Sequence, residues 1–276
     1  MMNSEVVKTV KATGRIRVFR DSGVSTLQIS NPKKRNALDQ AMCIELEKLI
    51  LDLDRDPQTT VIVLRGEGQD FSAGAALNDL EHVLFAEVGN GETIDYLSRA
   101  DSAIRSVRKP TIALVRGVCM GGAWQIAAAC DILLAADDCR IAITPAKLGI
   151  LYPRPGLERL VERIGADRAK FLLYSGIEVS PRKAAAWGLV SELMEANLFE
   201  VEAREYCKTV ASLSQFAVTS MGHLIDQMQA DDIDQRWAEL WAEFQTHEDL
   251  AHGRASFLAG QKPVFSWRLD RADLRS

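Results

Sequence analysis

Hydrophobic and polar positions follow clear periods over the first sixty residues of the chain. Two short runs with a period of two, at residues 16–19 and 24–29, flank the turn-forming segment 21–23 and predict a β-hairpin. Between residues 38 and 53 the apolar side chains instead recur every three or four positions, which predicts an amphipathic helix. Asp39 stands at the start of this pattern, where it is expected to cap the helix.

The strongest pattern lies in the middle of the chain. An apolar run at residues 111–115 predicts a buried strand, the small residues 123–130 predict a buried helix, and residues 132–135 predict a second strand. Gly121 and Gly122 stand where this helix begins, and the first N–H groups of a helix have no intrahelical partner. The glycines fit an oxyanion-binding turn, and they also fit simple close packing of helix on strand.

A second turn of the same kind lies upstream. Residues 61–65 (VIVLR) predict another buried strand, and the small residues 72–75 (SAGA) follow it before a further helical segment. Two backbone N–H groups that converge on one oxygen form an oxyanion hole, which stabilises charge developing on a carbonyl. The pair of turns indicates such a site more strongly than either turn alone.

The second half of the sequence changes from mixed to helical. Residues 78–107 are more polar and less regular, residues 140–143 predict a short strand, and no strand pattern appears beyond about residue 198. We therefore predict an α/β core over residues 1–197 and a helical region over residues 198–276. Further helices are predicted at 157–164, 168–174, 180–187, 201–213, 216–228 and 234–244.

One of these helices carries an apolar stripe at intervals of three and four residues, made by Trp237, Leu240, Trp241 and Phe244. The stripe fits an intramolecular core or a contact between subunits.

Composition disfavours several classes of protein, among them nucleic-acid-binding, membrane-spanning and metal-binding proteins. The chain has 276 residues, 47% hydrophobic and 26% charged, and a net charge of −5, which disfavours a nucleic-acid-binding surface. Its apolar runs are shorter than the roughly 18 residues of a membrane span, and the first residues lack a signal-peptide core, so a cytoplasmic protein is expected. Five cysteines without a CxxC spacing and four scattered histidines predict reduced thiols and no metal site.

Several segments of the sequence resemble the enoyl-CoA hydratase/isomerase (crotonase) superfamily, in order and at the family's spacing. These are NPKKRNALD (31–39), FSAGAAL (71–77), KPTIALVRGVCMGGAWQIAAACD (109–131), TPAKLGILYP (144–153) and GRASFLAGQKPVF (253–265). The resemblance implies an α/β fold in which ββα turns form a spiral, followed by a helical region that joins subunits into trimers, often paired as hexamers. The apolar stripe is then assigned to the subunit contact.

The resemblance also implies roles for individual residues. The family holds the carbonyl oxygen of an acyl-CoA thioester with two backbone amides, which correspond here to Ala75 and Gly122. Its hydratases use two glutamates, and the corresponding positions hold Gln125 and Pro145 (Ala146 if the gap is shifted). Neither side chain can transfer a proton near neutral pH. A two-glutamate hydration is therefore not expected.

The absence of glutamates at these two positions leads to further hypotheses about the reaction. The segment TPAKLGILYP resembles the TPxxLGxxY variant of the family's methylmalonyl-CoA decarboxylases, which would direct Tyr152 toward the acyl end of the substrate. Decarboxylation needs a stabilised enolate but little proton abstraction. The alternatives are a packed, structural Tyr152 and a catalytically silent member that binds CoA esters. Asp79 and Glu81 are the nearest candidate carboxylates.

The expected ligand is an acyl-CoA, with coenzyme A entering as part of the substrate and no separate cofactor. By resemblance, the basic residues of the first loop approach the CoA phosphates and the C-terminal segment reaches the adenine end. The expected substrate- and CoA-binding residues are Lys33, Arg35, Ala37, Ala73, Leu77, Trp124, Pro145, Phe257 and Lys262.

Overall fold

The computed structural model describes residues 14–269, and its centre is a six-stranded sheet in the order β1-β2-β3-β6-β8-β11. A second sheet has the order β10-β9-β7, and β4 and β5 form a separate hairpin. The strands in these residues are β1 (Arg15–Asp21), β2 (Val24–Ser30), β3 (Val61–Gly66), β4 (Ala86–Gly89), β5 (Glu92–Ile94), β6 (Thr111–Val115), β7 (Val118–Met120), β8 (Ile132–Ala136), β9 (Arg140–Ala142), β10 (Glu178–Val179) and β11 (Glu192–Met194).

Helices connect and cover these strands. The α-helices are α1 (Gln40–Asp54), α2 (Leu80–Leu84), α3 (Tyr96–Ser106), α4 (Gly122–Ala128), α5 (Arg154–Ile164), α6 (Ala166–Ser175), α7 (Pro181–Trp187), α8 (Phe199–Ser212), α9 (Gln215–Asp226), α10 (Ile233–Thr246) and α11 (Glu248–Leu258). Short 3₁₀ turns lie at Pro32–Lys34, Leu77–Asp79 and Pro145–Leu148. In this part of the chain, no helix has the length and apolar character needed to cross a membrane.

The predicted hairpin and the first helix are both confirmed. Ser22 and Gly23 connect β1 to β2 with φ angles of 52° and 83°, the left-handed backbone that a two-residue hairpin turn requires. The Asp39 carboxylate accepts a hydrogen bond of 3.0 Å from the Met42 amide and so caps α1.

The sheet separates two apolar layers. Alternate side chains of the parallel strands, such as Ile62 and Leu64 of β3, face a large core shared with α1, α3 and α4. Their neighbours Val61 and Val63 face the other way, against Phe199 and other residues of α8. The boundary predicted after residue 197 follows the last strand, and α8 on its far side still packs against the sheet.

The predicted βαβ unit is present, with one addition. Strands β6 and β8 are parallel neighbours, with Ala113 opposite Leu133, and α4 connects them. Between β6 and α4 the chain first forms β7, which pairs in parallel with β9 of the second sheet. The sequence prediction missed β7, because three residues are too few to show a hydrophobic period.

The segment that the sequence presents as irregular contains real structure. Residues 78–107 form α2, the β4–β5 hairpin and α3, and the Asp95 carboxylate caps α3 by accepting from the Ser98 amide at 2.9 Å. Leu97, Ala100 and Ile104 are buried on one face of α3. This i, i+3, i+7 pattern after a capping aspartate was the available signal for the helix.

The C-terminal region is helical, as predicted. Its stripe on α10 is not part of an intramolecular core, since Trp237 and Trp241 are 50% and 52% exposed in the single chain. The stripe forms one side of an apolar groove whose other side is α9. The strand pairing of β11 at the sheet edge and the helix α11 were not predicted.

A buried ion pair connects three of the helices. Arg159 of α5 donates to both carboxylate oxygens of Asp101 on α3, at 2.6 and 3.0 Å, and to the Gln125 carbonyl oxygen of α4 at 3.3 Å. Asp101 is 1% exposed and Arg159 is 9% exposed. Removal of one partner leaves an uncompensated charge in the core.

We therefore expect Asp101→Leu to lower the free energy of unfolding by about 3–5 kcal/mol. The double variant Asp101→Leu/Arg159→Leu is expected to be more stable than either single variant, because it buries no lone charge. Urea denaturation checks both values. Arg154→Ala, which removes an exposed ion pair from the same helix α5, is the control and is expected to leave stability unchanged. Additive losses in the double variant would contradict this account.

Candidate active site

The two small-residue turns of the sequence meet at one cavity of about 220 Å³. The 72–75 turn forms one wall, the 120–122 turn a second, and the loop 144–153 a third. The lining residues are Ala73, Gly74, Ala75, Leu77, Leu80, Leu84, Leu97, Met120, Gly121, Gly122, Thr144, Pro145, Leu148, Ile150, Tyr152 and Pro153.

Strand register sets the positions of the two turns. Ser72 and Cys119 form a parallel bridge, with the Ser72 amide donating to Val118 at 2.9 Å and the Met120 amide donating to Ser72 at 3.2 Å. Ala75 and Gly122 each follow their member of this bridge by three residues. The bridge therefore brings equivalent positions of the two turns side by side.

The amide nitrogens of Ala75 and Gly122 are close together at the cavity. A Cβ built on Gly122 would lie 3.5 Å from the Ala75 nitrogen, and one built on Gly74 would lie 3.2 Å from the Gly122 nitrogen. Among residues 14–269 neither amide has a hydrogen-bond acceptor, whereas the neighbouring Gly74 and Ala76 amides bond to Ser72 Oγ and the Leu38 carbonyl. Two free N–H groups thus border one small cavity.

Gly121 gives the second turn its shape. Its φ and ψ angles are 53° and −117°, a backbone conformation that residues with a Cβ rarely adopt. Its amide donates to the Ala142 carbonyl at 2.8 Å, which fixes the turn to β9. Gly122 is then the first residue of α4, one position before the predicted start at residue 123, and its N–H needs no intrahelical partner.

Most side chains that line the cavity are apolar. In the part of the chain that the structure describes, the lining contains no carboxylate, imidazole or amine, and its only polar side chains are those of Thr144 and Tyr152. Pro145, which the resemblance assigns to one of the family's glutamate positions, is buried and lines the cavity. Gln125, at the other, is fully buried and does not line it. Neither of the amide atoms of Gln125 has a hydrogen-bond partner in the described part of the chain.

Tyr152 lines the cavity and is 7% exposed. Its hydroxyl donates to the Gly121 carbonyl oxygen at 3.1 Å. Burial raises the pKa of this hydroxyl well above its usual value of about 10, because the ionised form would be poorly solvated. Tyr152 therefore stays protonated at neutral pH.

The two nearby carboxylates identified in the sequence do not reach the cavity. Asp79 is buried and accepts hydrogen bonds from the Gln40 amide at 2.9 Å and from the His82 ring at 3.0 Å. Glu81 is exposed. Asp79 thus helps to join α1 to the 3₁₀ turn before α2.

Several residues expected to bind CoA lie at the rim of the cavity. Lys33 and Arg35 are exposed on the first loop, and the Arg35 carbonyl accepts from the Ala73 amide at 2.8 Å, so this loop adjoins the lining. The Arg35 side chain lies 3.9 Å from Asp70, and Leu77 is 63% exposed at the rim.

The remaining expected residues lie elsewhere. Trp124 is fully buried, donates from its ring nitrogen to the Leu189 carbonyl at 3.2 Å and does not line the cavity. Ala37 is buried and is not among the lining residues of the cavity. Phe257 of α11, which is 85% exposed, and Lys262 are not among the lining residues of this cavity in the single chain.

Sequence reasoning missed some of the cavity. Leu97 of α3 lies close to Gly122, since a Cβ on Gly122 would lie 2.7 Å from its Cδ2 atom. Leu80, Leu84 and Ile150 complete the apolar lining. The helical period of α3 predicts that Leu97 is buried, but it does not predict which side chain it would face.

A larger cavity of about 330 Å³ lies on the other side of the sheet, beneath α8. Charged side chains such as Arg65 and Glu200 line it, and these two already pair at 2.8 Å. The smaller cavity is the better candidate because two unpaired amides border it.

Comparison with known proteins identifies the family. Residues 20–268 match the family model described as enoyl-CoA hydratase/isomerase. A solved structure of an enoyl-CoA hydratase/isomerase family member is similar with a TM-score of 0.91 and 44% identity, over 95% of this chain and all of that one. The chain belongs to the enoyl-CoA hydratase/isomerase family, and the crotonase fold implied by the sequence is confirmed.

Curated relatives agree with this assignment. The chain is 30% identical to the "Probable enoyl-CoA hydratase echA8" of Mycobacterium tuberculosis, over 92% of this chain and 98% of the relative. It is 27% identical to the 2,3-dehydroadipyl-CoA hydratase of Escherichia coli, over 91% of this chain and 98% of the relative. The family acts on acyl-CoA thioesters.

The unpaired amide of Gln125 gives a prediction about stability. Gln125→Leu is expected to raise the free energy of unfolding by about 1–3 kcal/mol, because the leucine removes two unsatisfied polar atoms from the core. Denaturant unfolding measures the change. Gln215→Leu is the control and is expected to destabilise the protein, since the Gln215 amide nitrogen bonds to the Val210 and Leu213 carbonyls. A destabilised Gln125→Leu would show that Gln125 has a polar partner.

Proposed function

We propose that this protein is an acyl-CoA lyase or isomerase that stabilises a thioester enolate with the amides of Ala75 and Gly122. The observation that carries the proposal is the convergence of two unpaired backbone amides on one apolar cavity. A thioester oxygen that gains negative charge during the reaction would accept from both amides. The hydratase names of the relatives support an acyl-CoA substrate.

The orientation of the substrate follows from the polarity of the site. The apolar lining suits the acyl group, and the exposed basic loop with Lys33 and Arg35 suits the CoA phosphates. We propose that CoA is bound as part of the substrate and that no separate cofactor takes part.

A two-glutamate hydration is not the reaction we propose. By resemblance to the family, Gln125 and Pro145 correspond to the glutamate positions, and among residues 14–269 no carboxylate lines the cavity. Any proton that moves must be carried by water, by Tyr152 or by the substrate itself. This favours a reaction that makes the enolate without a protein base.

Decarboxylation of a malonyl-type acyl-CoA is the second candidate, and the lack of a base in the lining favours it. The carbon–carbon bond to the carboxylate breaks, carbon dioxide leaves, and the electron pair enters the thioester enolate, which water then protonates. The two amides would stabilise this enolate as well. The segment TPAKLGILYP with Tyr152 supports this candidate by its resemblance to the family's decarboxylases.

Mass spectrometry of the protein incubated with crotonyl-CoA, a 3-hydroxyacyl-CoA, methylmalonyl-CoA and ethylmalonyl-CoA tests these candidates. Loss of carbon dioxide from a malonyl-type ester would establish the decarboxylase. Gain of one water by crotonyl-CoA would show that hydration proceeds without the two glutamates. Binding of the esters without any change in mass would identify a catalytically silent CoA-ester-binding protein and contradict the proposed enzyme.

Loss of the Gly122 N–H is expected to lower turnover of the active ester by about 100- to 1,000-fold. Gly122→Pro removes this N–H, and proline is compatible with the first position of a helix. Its ring would contact Leu97, so the substitution is made in a Leu97→Ala background and compared with Leu97→Ala alone. Equal turnover by the two folded variants would refute the role of Gly122.

We also propose that the chain assembles into a homotrimer or a hexamer through its C-terminal helices. The groove between α9 and α10 is lined by apolar residues, and Trp237 and Trp241 are half-exposed within it. Exposed apolar surface of this kind is typical of a contact between proteins.

A charge in the groove is expected to dissociate the assembly. Trp241→Glu should reduce the molar mass measured by light scattering, because the carboxylate would be buried without a partner. Glu243→Gln, at an exposed position of the same helix, is expected to keep the mass of the wild type. An unchanged mass in Trp241→Glu would place the subunit contact elsewhere.

A further inference from the structure

The hydroxyl of Tyr152 contacts the same peptide unit that presents the Gly122 amide. It donates to the Gly121 carbonyl oxygen at 3.1 Å. The carbonyl of Gly121 and the N–H of Gly122 belong to one planar peptide group, so a constraint on one end fixes the direction of the other. A hydrogen bond to the carbonyl also polarises the group and makes its N–H a stronger donor.

We propose that Tyr152 is a positioning residue of the oxyanion hole, which orients and polarises the Gly121–Gly122 peptide so that the Gly122 N–H binds the thioester oxygen. The inference rests on the proposed function, because it assigns Tyr152 a role in that same site. Tyr152 would act through the peptide and not through contact with the reacting atoms.

The surroundings of Tyr152 hold its ring in place. A Cβ at position 156 would lie 2.9 Å from the Tyr152 Cε1 atom and 3.0 Å from the Gln125 side chain, so Gly156 leaves room for both. The ring is buried, and the short loop from residue 149 to residue 153 carries it back to the start of α5. The packing of the ring thus fixes the direction from which the Tyr152 hydroxyl approaches the Gly121 carbonyl.

Other donors to the same carbonyl keep the turn intact without Tyr152. The Trp124 and Gln125 amides also donate to the Gly121 oxygen, at 3.1 and 3.4 Å, as part of the first turn of α4. Tyr152→Phe therefore leaves no orphaned carbonyl. This variant is expected to fold and to change only the third hydrogen bond.

This geometry separates two roles for Tyr152. A tyrosine hydroxyl has one proton, and in the structure that proton is directed to Gly121. Donation to a carboxylate at the acyl end would require the hydroxyl to leave this carbonyl. The positioning role predicts an effect on any bound thioester, whereas a direct role predicts an effect only on esters that carry a carboxylate.

Infrared difference spectroscopy of bound butyryl-CoA, labelled with carbon-13 at its thioester carbonyl, distinguishes these roles. In the wild type, hydrogen bonds from the two amides are expected to shift the carbonyl stretch to lower wavenumber. In Tyr152→Phe the band is expected to move part of the way back toward that of the free ester. The affinity measured by calorimetry should change by less than about threefold, since polarisation alters one hydrogen bond by roughly 10–30%.

Two further variants make the outcome decisive. Tyr174→Phe, at a tyrosine that is 79% exposed on α6, is the control and should leave the band unchanged. Tyr152→3-fluorotyrosine keeps the ring and has a more acidic hydroxyl, so it should donate more strongly and shift the band further than the wild type does.

Each result has one meaning. A shifted band in the wild type and the same band in Tyr152→Phe would overturn the positioning role while leaving the oxyanion hole in place. A wild-type band at the position of the free ester would overturn the proposed oxyanion hole itself. A graded series would establish the inference: the shift of the carbonyl band from its position in the free ester would be smallest in Tyr152→Phe, larger in the wild type and largest in the fluorotyrosine variant.

Discussion

The parallel bridge between Ser72 and Cys119 is the contact on which the site depends. Each of its residues precedes a small-residue turn, and three positions later each turn presents a free amide, at Ala75 and at Gly122. Successive residues of a strand point to opposite faces of the sheet. A slip of one residue in this register would therefore turn one of the two amides away from the other. The single bridge between the segment after β3 and strand β7 therefore brings the two turns together at the proposed oxyanion-binding site.

The sequence predicts the parts of this site better than their arrangement. The hairpin, α1 and the two turns follow from local signals, namely hydrophobic period, a capping aspartate and small residues after apolar runs. The register of Ser72 on Cys119 does not, because it joins segments 47 positions apart in the sequence and depends on how the second sheet packs. For the same reason the sequence shows that Tyr152 carries a hydroxyl, but it does not predict that the hydroxyl donates to the Gly121 carbonyl.

The two glutamate positions illustrate a second limit. The sequence identifies Gln125 and Pro145 as departures from the family, and the structure shows that they differ in kind. Pro145 contributes apolar surface to the cavity, whereas the Gln125 side chain is buried in the core without a hydrogen-bond partner among the described residues. A buried polar group without a hydrogen bond is destabilising. The core position of Gln125 thus holds two polar atoms that lack a hydrogen-bond partner among residues 14–269, which no local sequence pattern reveals.

A buried ion pair and backbone hydrogen bonds together hold the helices and turns that form the site. The Asp101–Arg159 pair joins α3, which supplies Leu97, to α5, which follows Tyr152, and to the Gln125 carbonyl of α4. The helices α3, α4 and α5 are thereby connected through one buried ion pair. Stabilisation of an oxyanion is effective when the donors are already in place before charge develops. The connection of α3, α4 and α5 through this pair suits such preorganisation, and the Tyr152 hydroxyl donates to the Gly121 carbonyl oxygen of the same turn.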